Sequence, residues 1–339
     1  MFSRTELFGE SPSALTVVGM AKNAGKTVTM NSLQQSLQEA GHALGLLSIG
    51  VDGERFDALT RLPKPAVVVQ PGTLVATAEH VLAADGRWEY LRPTPIFTPM
   101  GRIVILRALA KNRVVLAGPS NKSDVKNVSN QLIELGAECV LIDGAFDRQS
   151  PADPLVSDRV VLASGATLSR DLDRLVAMTK CRVEQLSLPA CNAEYARLAA
   201  GSTTKVRLLV SGWVREVNVL TALLSEEEWR RILRSECDAV FLKGAVGEGL
   251  GGALLSLSRP PVVVIEDGGK IFMNAGLWER LRQRGVCFQA VRPISLLAVT
   301  VNPTLPGGVG VDADELLTAM GKALAPLPVI DVVREKRLH

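Results

Sequence analysis

The chain has 339 residues, enough for two domains, and 47% of them are hydrophobic while only 4% are aromatic. Its net charge is +3, with no one-sided cluster of lysine and arginine, so a nucleic-acid footprint is not expected. The start carries no long apolar stretch and no apolar run reaches about 18 residues, so no signal peptide and no membrane span is expected, and the location expected is cytoplasmic.

Leu15, Thr16, Val17 and Val18 form a short β-branched run that ends at Gly19, as a buried strand does. Residues 19–27 then read Gly-Met-Ala-Lys-Asn-Ala-Gly-Lys-Thr. Val28, Leu33, Leu37 and Ala40 follow at near-helical spacing, and Gly41 stops the pattern. Strand, glycine loop and helix form the context of a phosphate-binding loop. A triphosphate must be met by backbone N–H groups, an ammonium and a hydroxyl that holds Mg²⁺. Gly25 would let the backbone come close, Lys26 would reach the β- and γ-phosphates, and Thr27 would ligate the metal. Gly19, Lys22, Asn23, Ala24 and Val28 complete the expected nucleotide-binding segment, whose lysine is expected to face solvent. The spacing is unusual: in G-x-x-x-x-G-K-T the first glycine would stand at position 20, which is Met20.

Residues 47–54 read as a second strand ending in a carboxylate, Asp52. An apolar run at 66–69 is followed by the turn Gln70-Pro71-Gly72-Thr73 and by the expected start of a helix at 75–80. Residues 86–112 are less regular. Pro93, Pro95 and Pro99 make an extended stretch, and 102–107 is an expected strand. A run at 114–117 precedes an expected helix from 123 to about 135, with Gly136 as its stop. The strand at 140–145 carries Asp143 at its end. Another strand is expected at 160–163 and a helix at 172–185. Carboxyl ends of parallel strands converge on the ligand crevice, so Thr27, Asp52 and Asp143 could surround one Mg²⁺, a cation of hard oxygen ligands. Lys26, Asp52 and Asp143 are the candidate catalytic residues. Asp52 and Asp143 also read as turn or cap residues, because each precedes a glycine.

Asn121-Lys122-Ser123-Asp124 matches the guanine-reading motif of GTPases. There the motif follows the acidic strand, whereas here it precedes Asp143, and Ser123 reads instead as a helix N-cap. By fold analogy the base-binding segment falls at Ser164, Gly165, Ala166 and Thr167.

Small polar residues at 199–204 suggest a boundary between a nucleotide-binding domain, 1–198, and a second α/β domain for a ligand or partner, 205–335. Strands are expected at 206–210, 239–242, 262–265, 286–291 and 296–301, with helices at 226–234, 277–285 and 312–324. The alternation implies βαβ units and a second parallel sheet. The fold class expected is α/β, a parallel sheet flanked by helices with a second α/β domain. Glycine-rich loops at 243–252, 266–270 and 302–308 each follow an apolar strand. They are expected together at the carboxyl ends of that second sheet, as a ligand or partner surface or as ordinary tight turns. None of the five cysteines forms a C-x-x-C pair. Cys139, Cys237 and Cys287 lie in or beside apolar runs and read as reduced core residues.

With its longer loop, the first half of the chain resembles dethiobiotin synthetase and its relatives, a branch of the P-loop NTPases. The resemblance implies that Asp52 and Asp143 bind metal and orient the γ-phosphate. The second acid is often Glu in that branch, so Asp143 reaches less far. Some relatives carry an extra loop lysine that crosses a dimer interface. Theirs stands five residues before the loop lysine, and Lys22 stands four before Lys26, so Lys22 could equally contact a phosphate in its own subunit. Over GMAKNAGKT (19–27), LSIGVDGE (47–54), KPAVVVQPGTLVATAEHVL (64–82) and VNPTLPGGVGVD (301–312), the chain resembles the P-loop subunits of reactivating factors for adenosylcobalamin-dependent lysine 5,6-aminomutase. That implies ATP and Mg²⁺ as cofactors and a chaperone-like ATPase that opens the mutase to release damaged cobalamin. The partners implied are a second reactivase subunit and the aminomutase, in a homo- or hetero-oligomer. The alternative is an ATP-dependent carboxylate-activating ligase of the dethiobiotin synthetase or cobyrinate amidase type. A third reading is a nucleotide-binding regulator without hydrolysis.

Overall fold

The computed structural model describes residues 13–50, 67–83, 85–144, 156–157, 159–234, 237–305, 307–308, 310–334 and 336–338. The chain divides into two compact units, Met1–Val176 with Ser295–His339, and Ala177–Ile294.

In the first unit, β1 (Ser13–Gly19) is buried from Ala14 onward, as a run of aliphatic residues must be when helices cover a sheet on both faces. Helix α1 (Lys26–Glu39) buries Met30, Leu33 and Leu37, and the chain leaves it through Gly41 at φ 82°. Next come β2 (Leu44–Ser48), β3 (Val67–Val69), β4 (Leu74–Ala78), β5 (Trp88–Thr98), β6 (Gly101–Ala108) and β7 (Asn112–Val114). Helix α2 (Lys122–Glu134), β8 (Cys139–Gly144) and β9 (Arg159–Gly165) follow, and then α3 (Leu172–Leu186), within which the division between the units falls.

In the second unit, α4 (Ala193–Ala199), β10 (Val206–Val210), β11 (Trp213–Val217), α5 (Glu226–Ile232) and β12 (Ala239–Leu242) come first. They are followed by β13 (Val246–Gly247), α6 (Glu248–Ser256), β14 (Val262–Ile265), β15 (Ile271–Phe272), α7 (Ala275–Gln283) and β16 (Phe288–Ala290). The chain then supplies the first unit with β17 (Leu296–Asn302), α8 (Ala313–Leu324), β18 (Val329–Asp331) and β19 (Lys336–Leu338).

Among the described residues ten strands form the large sheet, in the order β19-β18-β17-β9-β1-β8-β2-β4-β6-β5. Every pairing from β18 to β4 is parallel. β6, β5 and β19 add antiparallel edges, so the sheet is mixed rather than parallel throughout. The hairpin is possible because β5 and β6 are separated only by Pro99 and Met100, with Gly101 at φ 101°. Pro93 and Pro95 lie on β5, the edge strand, where prolines are tolerated, and the register with β6 shifts between Pro93 and Phe97. Alternating side chains send Leu15 and Val17 to one face, with Met30 and Leu37 of α1. Ala14 goes to the other, with Val125, Val128 and Leu132 of α2.

The structure corrects several expectations. Residues 75–80 do not begin a helix. Leu74–Ala78 is a strand, wholly buried between β2 and β6, and only a short 3₁₀ turn follows at Glu79–Val81. The burial available in the sheet outweighs the weak helical preference of that segment. Of the apolar run at 66–69, Val67–Val69 forms β3, which pairs antiparallel with β7 rather than with a strand of the large sheet. The boundary expected at 199–204 falls inside the second unit, and residues 295–339 belong to the first. The second unit's sheet, β11-β10-β12-β14-β16, is parallel only from β12 to β16, while β10 runs antiparallel to both of its neighbours. All five cysteines are unpaired, but Cys287 is exposed rather than buried. No helix among the described residues is long and apolar enough to cross a membrane.

Candidate functional site

Strand β1 is flanked by β8 on one side and β9 on the other. The chain builds toward β2 through one side and toward β17 through the other, so strand order reverses about β1. In open α/β sheets such a reversal leaves a crevice at the carboxyl ends of the strands. The glycine loop lies there.

The Met20 N–H donates to Ala163 O at 2.9 Å, pinning the loop's start to the end of β9. Asn23 has φ 60° and Gly25 φ 97°, both left-handed, a region that asparagine and glycine tolerate best. Gly25 is needed on a second count, because a Cβ there would lie 2.8 Å from the Asn302 Cβ. No side chain caps the N-terminus of α1; the Thr29 N–H is bonded to Gly25 O at 2.8 Å, and the first turn faces the crevice with its backbone donors. Such a terminus, with its dipole, attracts an anion.

Of the expected segment, Gly19, Ala24 and Gly25 are buried, Lys22 and Asn23 are exposed, and Thr27 and Val28 are half-buried. Lys26 does not face solvent as expected: its side chain is only 17% exposed. Its ammonium lies 3.0 Å from Asp143 Oδ1 and donates to Gly144 O at 2.9 Å. Asp143 is held where β8 runs between β1 and β2, in register with Val17 and Ser48. The structure therefore joins Lys26 and Asp143, which are far apart in sequence, while Asp52 lies outside the described residues.

Sequence reasoning missed Asn302. It ends β17 and is 8% exposed; its Oδ1 accepts from the Thr304 N–H at 2.9 Å and the Thr304 hydroxyl at 2.7 Å. Its backbone oxygen accepts from the Ala166 N–H at 2.9 Å, and a Cβ on Gly165 would lie 2.5 Å from that oxygen. The loops after β1, β9 and β17 thus meet at one point. Asn302, which opens a loop expected on the second sheet, stands beside the glycine loop, together with Gly165 of the expected base-binding residues. Its signal was an Asn-Pro pair at the end of an apolar strand, which says nothing of the sheet it joins.

Asn121, not Ser123, caps α2. Its Oδ1 accepts from the Asp124 N–H at 2.8 Å and from the Ser123 hydroxyl at 2.8 Å. The helix starts one residue earlier than expected, and the motif's asparagine is spent on that helix.

Set against family models, curated proteins and solved structures, the chain matches none of them. Among the described residues no three His, Cys, Asp or Glu side chains form a metal-binding group.

Proposed function

We propose that the chain is a nucleoside triphosphatase of the P-loop class that binds ATP with Mg²⁺ through Gly19, Lys22, Asn23, Ala24, Gly25, Lys26, Thr27 and Val28. The observation that carries this reading is the pairing of Lys26, at the uncapped start of α1, with the strand-end acid Asp143. A phosphate chain seated on the loop offers the ammonium a stronger anionic partner than one carboxylate. Lys26 would then turn from Asp143 to the β- and γ-phosphates and free that carboxylate.

The residues fit a magnesium ion. It favours oxygen ligands and is usually held by one or two carboxylates with waters completing the shell. The Thr27 hydroxyl and the Asp143 carboxylate are such donors, with Asp52 as a third candidate. Bound Mg²⁺ supplies charge neutralisation of the phosphates. With nucleotide and metal bound, Lys26 would hold the γ-phosphate, and Asp143 and Asp52 would orient the attacking water.

Within that class, we propose the particular role implied by the resemblance. The chain would act as the ATP-hydrolysing subunit of a reactivating factor for an adenosylcobalamin-dependent aminomutase, working with a second reactivase subunit. Such a factor turns over slowly alone and faster with its protein partner, whereas a carboxylate-activating ligase needs only its small substrate. The test is calorimetric titration of ATP and of GTP, each with Mg²⁺, into wild type and Lys26→Ala. The expected result is ATP binding in the wild type and its loss in a folded variant. Unchanged ATP affinity in a variant with native circular dichroism would overturn the assignment.

A further inference from the structure

The second unit carries a separate site. Lys243, Glu266 and Arg292 stand one or two residues past the ends of β12, β14 and β16, its three adjacent parallel strands. They line a cavity of about 310 Å³ floored by buried Phe241. That is the size of a small-metabolite pocket, roughly 300–1,000 Å³, and it stands where parallel sheets place ligands.

The charges are only partly spent. The Lys243 ammonium donates to Ser202 O at 3.0 Å, and an ammonium has further donors to give. Glu266 Oε2 accepts from the Gly244 N–H at 3.0 Å, which fixes the carboxylate. Its Oε1 is 3.7 Å from Arg292 Nη2, too far for a hydrogen bond, and Arg292 Nε is buried with no acceptor among the described residues. The carbonyls of α4's C-terminal end would repel an anion, but Arg207 takes those of Leu198 and Ala200 at 3.1 Å each and of Gly201 at 3.5 Å. Two cations thus face one carboxylate. The Arg292 side chain is 35% exposed, so its accessible guanidinium N–H groups can meet a carboxylate by charge-assisted bonds, and Glu266 Oε1 keeps capacity for a donor.

We infer that this cavity binds a small monocarboxylate bearing a hydroxyl next to its carboxyl group. The carboxylate lies between Arg292 and Lys243, and the neighbouring donor points to Glu266. The charge count of one surplus cation favours a monoanion over phosphate. The site lies wholly within the second unit and does not depend on the nucleotide reading.

The experiment is an amide chemical-shift titration of the full chain with sodium L-lactate and, separately, with sodium phosphate at matched ionic strength, following Gly201 and Gly244. Lactate should give saturable shifts at both glycines. Arg292→Gln and Lys243→Gln should each weaken it roughly tenfold or more. Arg292→Lys keeps the charge without the planar fork and should fall between; it carries the test if a glutamine variant loses its native spectrum. Shifts that do not saturate, lactate affinity unmoved by these substitutions, or tighter binding of phosphate than of lactate would each overturn the inference.

Discussion

Replacing Gly25 by alanine tests the loop geometry through a quantity that can be worked out beforehand. At φ 97° and ψ 9° an L side chain is strained, and the left-handed backbone alone costs about 1–2 kcal/mol. The new Cβ would also lie 2.8 Å from the Asn302 Cβ, well inside contact distance. Forcing an extra carbon into a packed site costs a further ~1–3 kcal/mol. Gly25→Ala should therefore lower the unfolding free energy by roughly 2–5 kcal/mol. The two contributions can be separated. Asn302→Gly removes the atom that is struck, at the cost of the bonds Asn302 makes to Thr304. In the double variant the steric part should vanish while the torsional part stays. A double-mutant cycle in urea should then show a favourable coupling of ~1–3 kcal/mol between the positions. Additivity within about 0.5 kcal/mol would show that the loop after β17 does not pack on the glycine loop, and would refute the reasoning.

Other substitutions separate chemistry from scaffolding. Asp143→Asn should lose Mg²⁺-dependent turnover more than ATP binding, and fully retained hydrolysis in a steady-state assay would leave that acid a structural role only. Asn121→Ala should cost about 1 kcal/mol and Ser123→Ala much less, since the asparagine is the cap. Both should leave ATP and GTP titrations as in wild type, and a selective loss of GTP binding in Asn121→Ala would restore guanine reading. Burial, reinforced by the charge of Glu184, raises the Cys181 thiol from 9.0 to about 11. The folded state therefore holds its proton where the unfolded chain has released it, and stability should fall as pH rises from about 9 to about 11. That slope should be shallower in Cys181→Ala, measured by urea unfolding across the same range; identical slopes would remove Cys181 as a cause.

Much of the glycine loop was legible because its signals are local. The β-branched run before Gly19, the loop from Gly19 to Thr27 and the helical spacing to Gly41 all lie within one strand–loop–helix unit, and the structure has a strand, a loop and a helix where expected. The same holds for β9, β10, β12, β14 and α8, whose periodicity is their own. The segment 75–80 misleads because local preference is weak there and burial between neighbours decides.

By itself, then, the sequence determined many of the strands and helices and that a glycine loop joins β1 to α1, because backbone preference and side-chain period act over a few residues. Only the tertiary structure decided the pairings. It returned β17 across the intervening unit to lie beside β9, brought Asn302 against Gly25, and set Asp143 against Lys26. Strand pairing depends on which apolar faces and edges are free after the rest of the sheet has formed, and an apolar run of aliphatic residues fits many edges equally well.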